Sequence, residues 1–256
     1  MIDLRIDDDV AHVVLDAPGK LNALDEQSLR DLDAAYAEAE TAAVRALVLR
    51  GEGRAFCAGR DIAGVDPATD DVRGYLEGLL APLLRRMADF PAPTFAAAHG
   101  ACLGVGLGLL VATDVVYVAD TAKVGSPFAA LGAVLDSGGH ALFYERLGAH
   151  RTLDLIYSGD LLSGAEAVRL GLFSRSLPAD EVLPAVEAAA RAAAAGPTQA
   201  FLASKRIIAA IREDGAGLWD VVSAENSAQA RLRDTEDYRE GFAAFGAKRP
   251  PVFRGH

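Results

Sequence analysis

Two short runs hold the only cysteines of the chain, Ala55-Phe56-Cys57-Ala58-Gly59-Arg60 and Gly100-Ala101-Cys102-Leu103-Gly104-Val105. Each places Cys-x-Gly-x after a strand-like run, in a turn that leads towards a helix or an extended loop. A glycine there lets the chain turn tightly and leaves the next backbone N–H free to point into a cleft. Two such N–H groups, converging, form an oxyanion hole, which holds negative charge as it develops on a carbonyl oxygen. The same residues also fit two unrelated glycine turns with small buried cysteines. Two cysteines among 256 residues cannot make a disulfide framework, and no spacing matches a structural zinc site. Should the turns converge, the cysteines approach each other, but a reduced compartment and small-residue packing argue against a redox pair.

The second turn also imitates a dinucleotide fingerprint. Thr94 to Ala98 reads as a strand, Gly104-x-Gly106-x-Gly108 opens a helix, and Asp120 ends the next strand. The third glycine arrives one residue early, because position 109 is leucine, and Asp120 lies early for a ribose contact. A nicotinamide-dependent oxidoreductase is therefore the weakest of the functional readings. Other polar residues have local explanations. Asp61 is expected to bond within its own loop, His99 is expected to be structural, and Asp136, followed by Ser137-Gly138-Gly139 and a helical run, has the spacing of a helix N-cap.

These residues need a scaffold, and the composition supplies one of an ordinary kind. The 256 residues are 51% hydrophobic and 24% charged, the balance of a globular protein with one large or two unequal domains. The net charge is 25 − 36 = −11, which argues against nucleic-acid or anionic-membrane binding. The acidic start MIDLRIDDDV lacks the layout of a signal peptide, so a cytoplasmic location is expected. From Phe90 to Thr113 no acidic residue, lysine or arginine occurs, but Pro91, Pro93 and several glycines make this stretch strand, turn and short helix, not a membrane span.

Strands are expected at Ile2 to Ile6, Ala11 to Leu15, Ala46 to Leu49, Thr94 to Ala98 and Val115 to Val118. Asp25 can cap a helix with Leu29, Leu32, Tyr36 and Ala39 on one side. A second helix is expected over Arg73 to Ala88, kinked at Pro82. After about residue 160 strand signals thin out and helices follow at Glu181 to Ala195, Thr198 to Ile211 and Leu218 to Leu232. The alternation predicts an α/β body with buried parallel strands over residues 1–195, and a helical segment over 196–256 that packs on the body or on another subunit.

In order along the chain, Asn22-Ala23-Leu24, Phe56 to Ile62, His99-Gly100 through Leu110, Asp114, Ser126-Pro127, Leu131-Gly132, Asp136-Ser137-Gly138-Gly139, Leu147-Gly148, Ser163 to Ala167, Gly171-Leu172 and Glu240-Gly241-Phe242 with Lys248-Arg249 resemble the crotonase (enoyl-CoA hydratase/isomerase) superfamily. The likeness runs through essentially the whole chain. It implies a spiral of ββα units with a C-terminal helical trimerisation segment, commonly a dimer of trimers. It implies an acyl-CoA thioester as substrate, with coenzyme A arriving as part of it, and no separate cofactor or metal. It assigns the two oxyanion N–H groups to Arg60 and Val105, where Val105 replaces the usual glycine, and places Ala58, Gly59, Ile62 and Gly104 around them.

Hydratases of that family carry two glutamates; the matching positions here are Gly108 and Phe128, so both carboxylates are absent. Asp136 matches the aspartate of several isomerases, above all the phenylacetate-pathway ring isomerases, which have proline where this chain has Leu135. One carboxylate suffices to move a proton between two carbons. Phe128, Leu131 and Leu135 are the expected apolar surround, raising its pKa, and His140, four residues on, faces it. For coenzyme A the resemblance points to Lys20 and Leu21 near the adenine, to Ala58, Gly59, Asp61, Ile62 and Gly104 as further contacts, and to Phe245 and Lys248 for the adenosine end of a molecule bound in a neighbouring subunit. The basic tail Lys248 to Arg254 is the best counter-patch to its phosphates on an acidic protein. The segment Val65 to Leu84 would wall the acyl group. The expected activity is isomerisation of an enoyl-CoA; an atypical hydratase, an acyl-CoA hydrolase and a silent acyl-CoA-binding protein are the alternatives on the same scaffold.

Overall fold

The computed structural model describes residues 1–256. In chain order its elements are β1 (Ile2–Asp7), β2 (Val10–Leu15), α1 (Glu26–Thr41), β3 (Ala46–Gly51), a π-helical segment (Gly74–Leu80) running into α2 (Ala81–Ala88), β4 (Thr94–Ala98), β5 (Ala101–Leu103), α3 (Val105–Val111), β6 (Val115–Ala119) and β7 (Lys123–Gly125). A 3-10 turn (Phe128–Leu131; another, Pro18–Lys20, follows β2), α4 (Gly139–Ser158), β8 (Leu162–Ser163), α5 (Gly164–Arg169), β9 (Arg175–Leu177), α6 (Ala179–Ala194), α7 (Thr198–Glu213), α8 (Leu218–Leu232) and α9 (Glu236–Gly246) complete the chain.

Six strands form the main sheet in the order β1-β2-β3-β4-β6-β9, antiparallel at the β1–β2 hairpin and parallel thereafter. Ala46 to Leu49 and Thr94 to Ala98 are buried on both faces, as parallel strands covered on two sides must be. Beside this sheet lies a second layer. β5 pairs in parallel with β7, Cys57 bridges in parallel to Cys102, and Leu24 bridges in parallel to Arg60. The chain therefore repeats one path: a strand of the main sheet, a short extended stretch in the second layer, then a helix. The stretches are Leu24 after β2, Cys57 to Arg60 after β3, β5 after β4 and β7 after β6. This is the expected spiral of ββα units, and it makes the two cysteine runs adjacent turns of that spiral.

Local sequence explains the helix starts. Asp25 accepts from the Ser28 N–H at 2.8 Å at the head of α1, as its position suggests. Around Pro82 the helix is not kinked in the expected way. The π-turns of Gly74–Leu80 give way to regular α geometry just before this residue, which has no N–H to contribute. Other departures from expectation are elements too short for periodicity to reveal. β5, β7, β8 and β9 have two or three residues each, and β9 extends the main sheet where no strand was expected. β5 also interrupts the strand-to-helix step that a dinucleotide fingerprint requires. α9 was not foreseen either.

The helical segment after Gly196 is tied back to the body by Arg45. Its guanidinium donates to the carbonyls of Gly196 at 2.6 Å and Phe253 at 3.3 Å, and to the Thr198 hydroxyl at 3.2 Å. No helix is long and apolar enough to cross a membrane; the uncharged stretch before Asp114 forms β4, β5 and α3.

Candidate functional site

The two cysteine runs meet side by side. Cys57 N donates to Ala101 O at 2.9 Å and Leu103 N to Cys57 O at 3.0 Å, a short parallel ladder that joins one turn of the spiral to the next. Neighbouring amides are consumed in the same way: Ala58 N by Leu21 O at 2.9 Å, Asp61 N by Leu24 O at 2.9 Å and Gly104 N by Gly125 O at 3.1 Å. The amides of Arg60 and Val105 donate to no backbone acceptor. Gly59 stands at φ +103° and Gly104 at φ +53°, conformations that an L side chain resists. A Cβ on Gly59 would lie 3.0 Å from Leu103 O and 3.7 Å from Val105 N, so the two turns touch at their glycines. The Phe128 ring covers Gly104, 3.0 Å from where its Cβ would be. Val105 is 1% exposed and its side chain belongs to the hydrophobic core.

Against α3 packs the corner that carries Asp136. Gly108 lies one helical turn beyond Val105, and a Cβ there would come within 2.2 Å of Ser137 Cβ, 3.0 Å of its Oγ and 3.1 Å of its carbonyl oxygen. Ser137 therefore fills the space into which a side chain at 108 would project. It does so in a left-handed conformation, φ +56°, and its hydroxyl donates to Asp136 Oδ1 at 2.6 Å. Burial pushes the Asp136 carboxyl upward from its ordinary pKa, while the Ser137 hydroxyl and the Arg60 guanidinium pull it back down. Asp136 is not a helix cap: the N-cap of α4 is Gly138, φ +83°, with no side-chain capping bond.

Arg60 contributes more than an amide. Its guanidinium makes a two-pronged pair with Asp70 at 2.8 and 2.5 Å and lies 4.2 Å above the centre of the Tyr75 ring. Tyr75 is buried, and its hydroxyl donates to Leu24 O at 3.0 Å. Asp70, Tyr75 and Ser137 are the site residues that sequence reasoning missed. Only Ser137, beside an aspartate and before Gly-Gly, left a signal in the sequence.

Other expected residues divide into two groups. Asp61 accepts from Ala63 N at 3.0 Å, as a local loop bond, and also from Lys20 Nζ at 2.8 Å. Lys20 and Leu21 thereby sit against the Arg60 turn, with Leu21 itself in a left-handed conformation, φ +54°. Ile62 is 55% exposed beside them. His99 bonds Gly53 O at 2.9 Å through Nε2 and supports the loop before Cys57. Cys57 and Cys102 are free and fully buried; burial pushes the Cys57 thiol up to about 12 and raises Cys102 as well.

Three expectations need correction. Leu131 is 62% exposed, so it does not enclose Asp136 as the apolar surround was expected to do; it lies on a single 3-10 turn that ends at Gly132 and opens to solvent. His140 is exposed on the first turn of α4 and makes no hydrogen bond to Asp136, whose side-chain partner is Ser137. The basic tail is a free counter-patch only in part, at Lys248 and Arg254. Arg249 is paired with Glu240 at 2.6 and 2.8 Å, Val252 N donates to the same carboxylate, and Arg254 N and Gly255 N donate to Asp237. Phe245 and Lys248 lie far along this segment; Phe245 is 86% exposed on the rim of an apolar groove of about 470 Å³ with Tyr238, Phe242 and Phe253.

Comparison with known proteins agrees with this geometry. The family model described as enoyl-CoA hydratase/isomerase matches residues 5–256. A Bacillus subtilis protein named "Putative enoyl-CoA hydratase/isomerase YhaR" is 34% identical over 96% of this chain and 95% of its own. The 1,2-epoxyphenylacetyl-CoA isomerase of Escherichia coli is 31% identical over 98% and 97%. Among solved structures, a Mycobacterium abscessus protein described as a "putative Enoyl-CoA hydratase/isomerase" superposes with a TM-score of 0.92 at 32% identity, covering all of both chains. Adjacent glycine turns with unspent amides, a ββα spiral and a match over nearly the whole length lead to one conclusion: the chain belongs to the enoyl-CoA hydratase/isomerase family.

Proposed function

We propose that this member is an enoyl-CoA isomerase that shifts a double bond with Asp136 as its only proton carrier. The thioester oxygen sits between the N–H groups of Arg60 and Val105. Asp136 takes a proton from one carbon of the acyl chain, the electron pair moves into the thioester as an enolate, and Asp136 returns the proton to another carbon as the enolate collapses. No water is added and none is released. Each N–H contributes about 3 kcal/mol by meeting charge that exists only during the reaction. Burial favours this role, because a carboxylate of raised proton affinity can both accept and return a proton near neutral pH.

The observation that carries the proposal is Ser137 in the space beside Gly108, with its hydroxyl on Asp136. A hydratase-type carboxylate from position 108 has no room there. A second reading is an atypical hydratase in which Asp136 directs a water. It is favoured by the relatives, several of which carry hydratase names, such as a Bacillus anthracis enoyl-CoA hydratase structure at TM-score 0.90 and 26% identity. The exposed apolar residues Ile208, Leu218, Trp219 and Phe242 fit a further part of the proposal, that residues 196–256 pack on other copies of the chain and that Phe245 and Lys248 reach coenzyme A across that contact.

Incubation with 3-enoyl-, 2-enoyl- and cyclic-acyl-CoA thioesters in deuterated water tests the assignment. Isomerisation exchanges label into the α or γ carbon of an unhydrated product. Rapid hydration of 2-enoyl-CoA that survives Asp136→Ala would refute it.

A further inference from the structure

A trans peptide group is planar, so its N–H points away from its C=O across one rigid unit. Every peptide bond of this chain is trans. The direction of the Arg60 N–H is therefore set by whatever holds the Gly59 carbonyl. That holder is Leu24, whose N–H donates to Gly59 O at 2.8 Å. Leu24 grips the far side of residue 60 as well, because its carbonyl accepts from Asp61 N at 2.9 Å. The same carbonyl takes a second donor, the Tyr75 hydroxyl, at 3.0 Å. Leu24 and Tyr75 are each only 1% exposed, and a buried carbonyl with both lone pairs engaged has little freedom to tilt. The face of the Tyr75 ring carries the Arg60 guanidinium, 4.2 Å from its centre. One side chain thus meets residue 60 twice, through Leu24 at the main chain and directly at the guanidinium.

We propose that Tyr75 is a positioning residue for the Arg60 N–H: it fixes Leu24, and Leu24 aims the peptide group that carries the donor. The inference rests on the reading of that N–H as one half of the oxyanion hole. The preceding amides of the turn are engaged elsewhere. Ala58 N donates to Leu21 O at 2.9 Å and Gly59 N to Cys57 Sγ at 3.5 Å, which leaves the peptide between Gly59 and Arg60 to Leu24. Tyr75 is itself anchored at the head of its π-helical segment. There Asp71 accepts from Gly74 N at 2.8 Å through its carboxylate and from Tyr75 N at 3.0 Å through its carbonyl. A donor that meets charge only during the reaction costs rate, and not affinity, when its aim is off.

Tyr75→Phe removes one hydroxyl and leaves the ring, its guanidinium contact and the Asp61 bond to Leu24 O in place. For 3-enoyl-CoA, kcat is expected to fall about 10-fold while KM stays within about threefold. A second readout needs no turnover. Hexanoyl-CoA offers a thioester oxygen but no double bond to move. At saturation it should shift the Arg60 amide resonance of the wild-type protein, and shift it less in Tyr75→Phe. A wild-type resonance that ignores hexanoyl-CoA refutes the oxyanion hole and the proposed function with it. A wild-type shift that Tyr75→Phe reproduces in full, with kcat unchanged, overturns the role of Tyr75 alone, whatever happens to Tm. Should Tyr75→Phe fail to fold, the wild type decides. Coupling between sites is reciprocal, so a ligand that grips the Arg60 N–H must tighten the bond behind it and slow amide exchange at buried Leu24. Unchanged exchange at Leu24 in saturating hexanoyl-CoA overturns the inference.

Discussion

Replacing Gly108 by alanine adds one methyl group at the point where α3 meets the Asp136 corner. That methyl carbon would start 2.2 Å from Ser137 Cβ, while two carbons in contact prefer about 3.5–4.0 Å. Ser137 must therefore retreat by more than about 1 Å, and its hydroxyl bond of 2.6 Å carries Asp136 with it. A displacement of that size in a reacting group costs about 100-fold in rate. Stability should respond far less. Alanine gains about 1 kcal/mol over glycine inside a helix, and overpacking costs about 1–3 kcal/mol, which leaves a net loss of about 0–2 kcal/mol. For a chain of this size that is a fall in Tm of no more than about 8 °C. The expected signature is a well-folded protein, measured by thermal melting and circular dichroism, with 3-enoyl-CoA turnover down by about two orders of magnitude. Turnover within about threefold of wild type, in a protein of unchanged Tm, would mean that the corner yields without moving Asp136, and the argument that Ser137 positions it would fail.

Asp136→Asn should lower turnover by about 10²–10⁴-fold while thioester binding stays within a few-fold, as judged by calorimetry. The same variant should be as stable as wild type or more so at pH 7. The folded state raises the pKa of Asp136, so its charge works against folding once the pH exceeds the unfolded value, and melts below pH 3 should show no difference. Glu240 behaves in the opposite sense. Arg249 and Val252 N–H hold its pKa down to about 2, so the stability it lends the tail is full at neutral pH and disappears only as the pH falls from the usual carboxylate range towards 2. Glu240→Gln should speed hydrogen exchange at Val252 at pH 7, and equal exchange in the two proteins would refute the strap. Cys57 and Cys102 should be silent towards thiol reagents in the native protein and react only on unfolding, because burial raises both thiols; stoichiometric labelling before the melting transition would contradict their burial.

The long elements were legible because each carries a repeated pattern. Ala46 to Leu49 and Thr94 to Ala98 are unbroken apolar runs, and Leu29, Leu32, Tyr36 and Ala39 fall on one helical face; all are buried. The cysteine echo was legible for a different reason, since it marks two turns of one spiral and the same local job recurs. β7, β8 and β9 were hidden because two or three residues hold no period, and only pairing with distant strands makes them strands. The partnership of Arg60, Asp70 and Tyr75 was hidden likewise. Charges in a loop have no periodicity, and the ring that meets Arg60 comes from π-helical turns whose spacing differs from the α period. The tail deceived by composition at one position: Glu240 sits 9 residues before Arg249 and claims its charge, while Lys248 and Arg254 form no ion pair.

Because both donors proposed to capture charge belong to the main chain, ordinary side-chain mutagenesis is blind to them. An alanine scan across residues 60 and 105 would strip away the guanidinium and the isopropyl group and leave both hydrogens in place, so survivors of such a scan would not count against the proposed hole. Only proline, which lacks the hydrogen, or an ester in place of the amide would silence one.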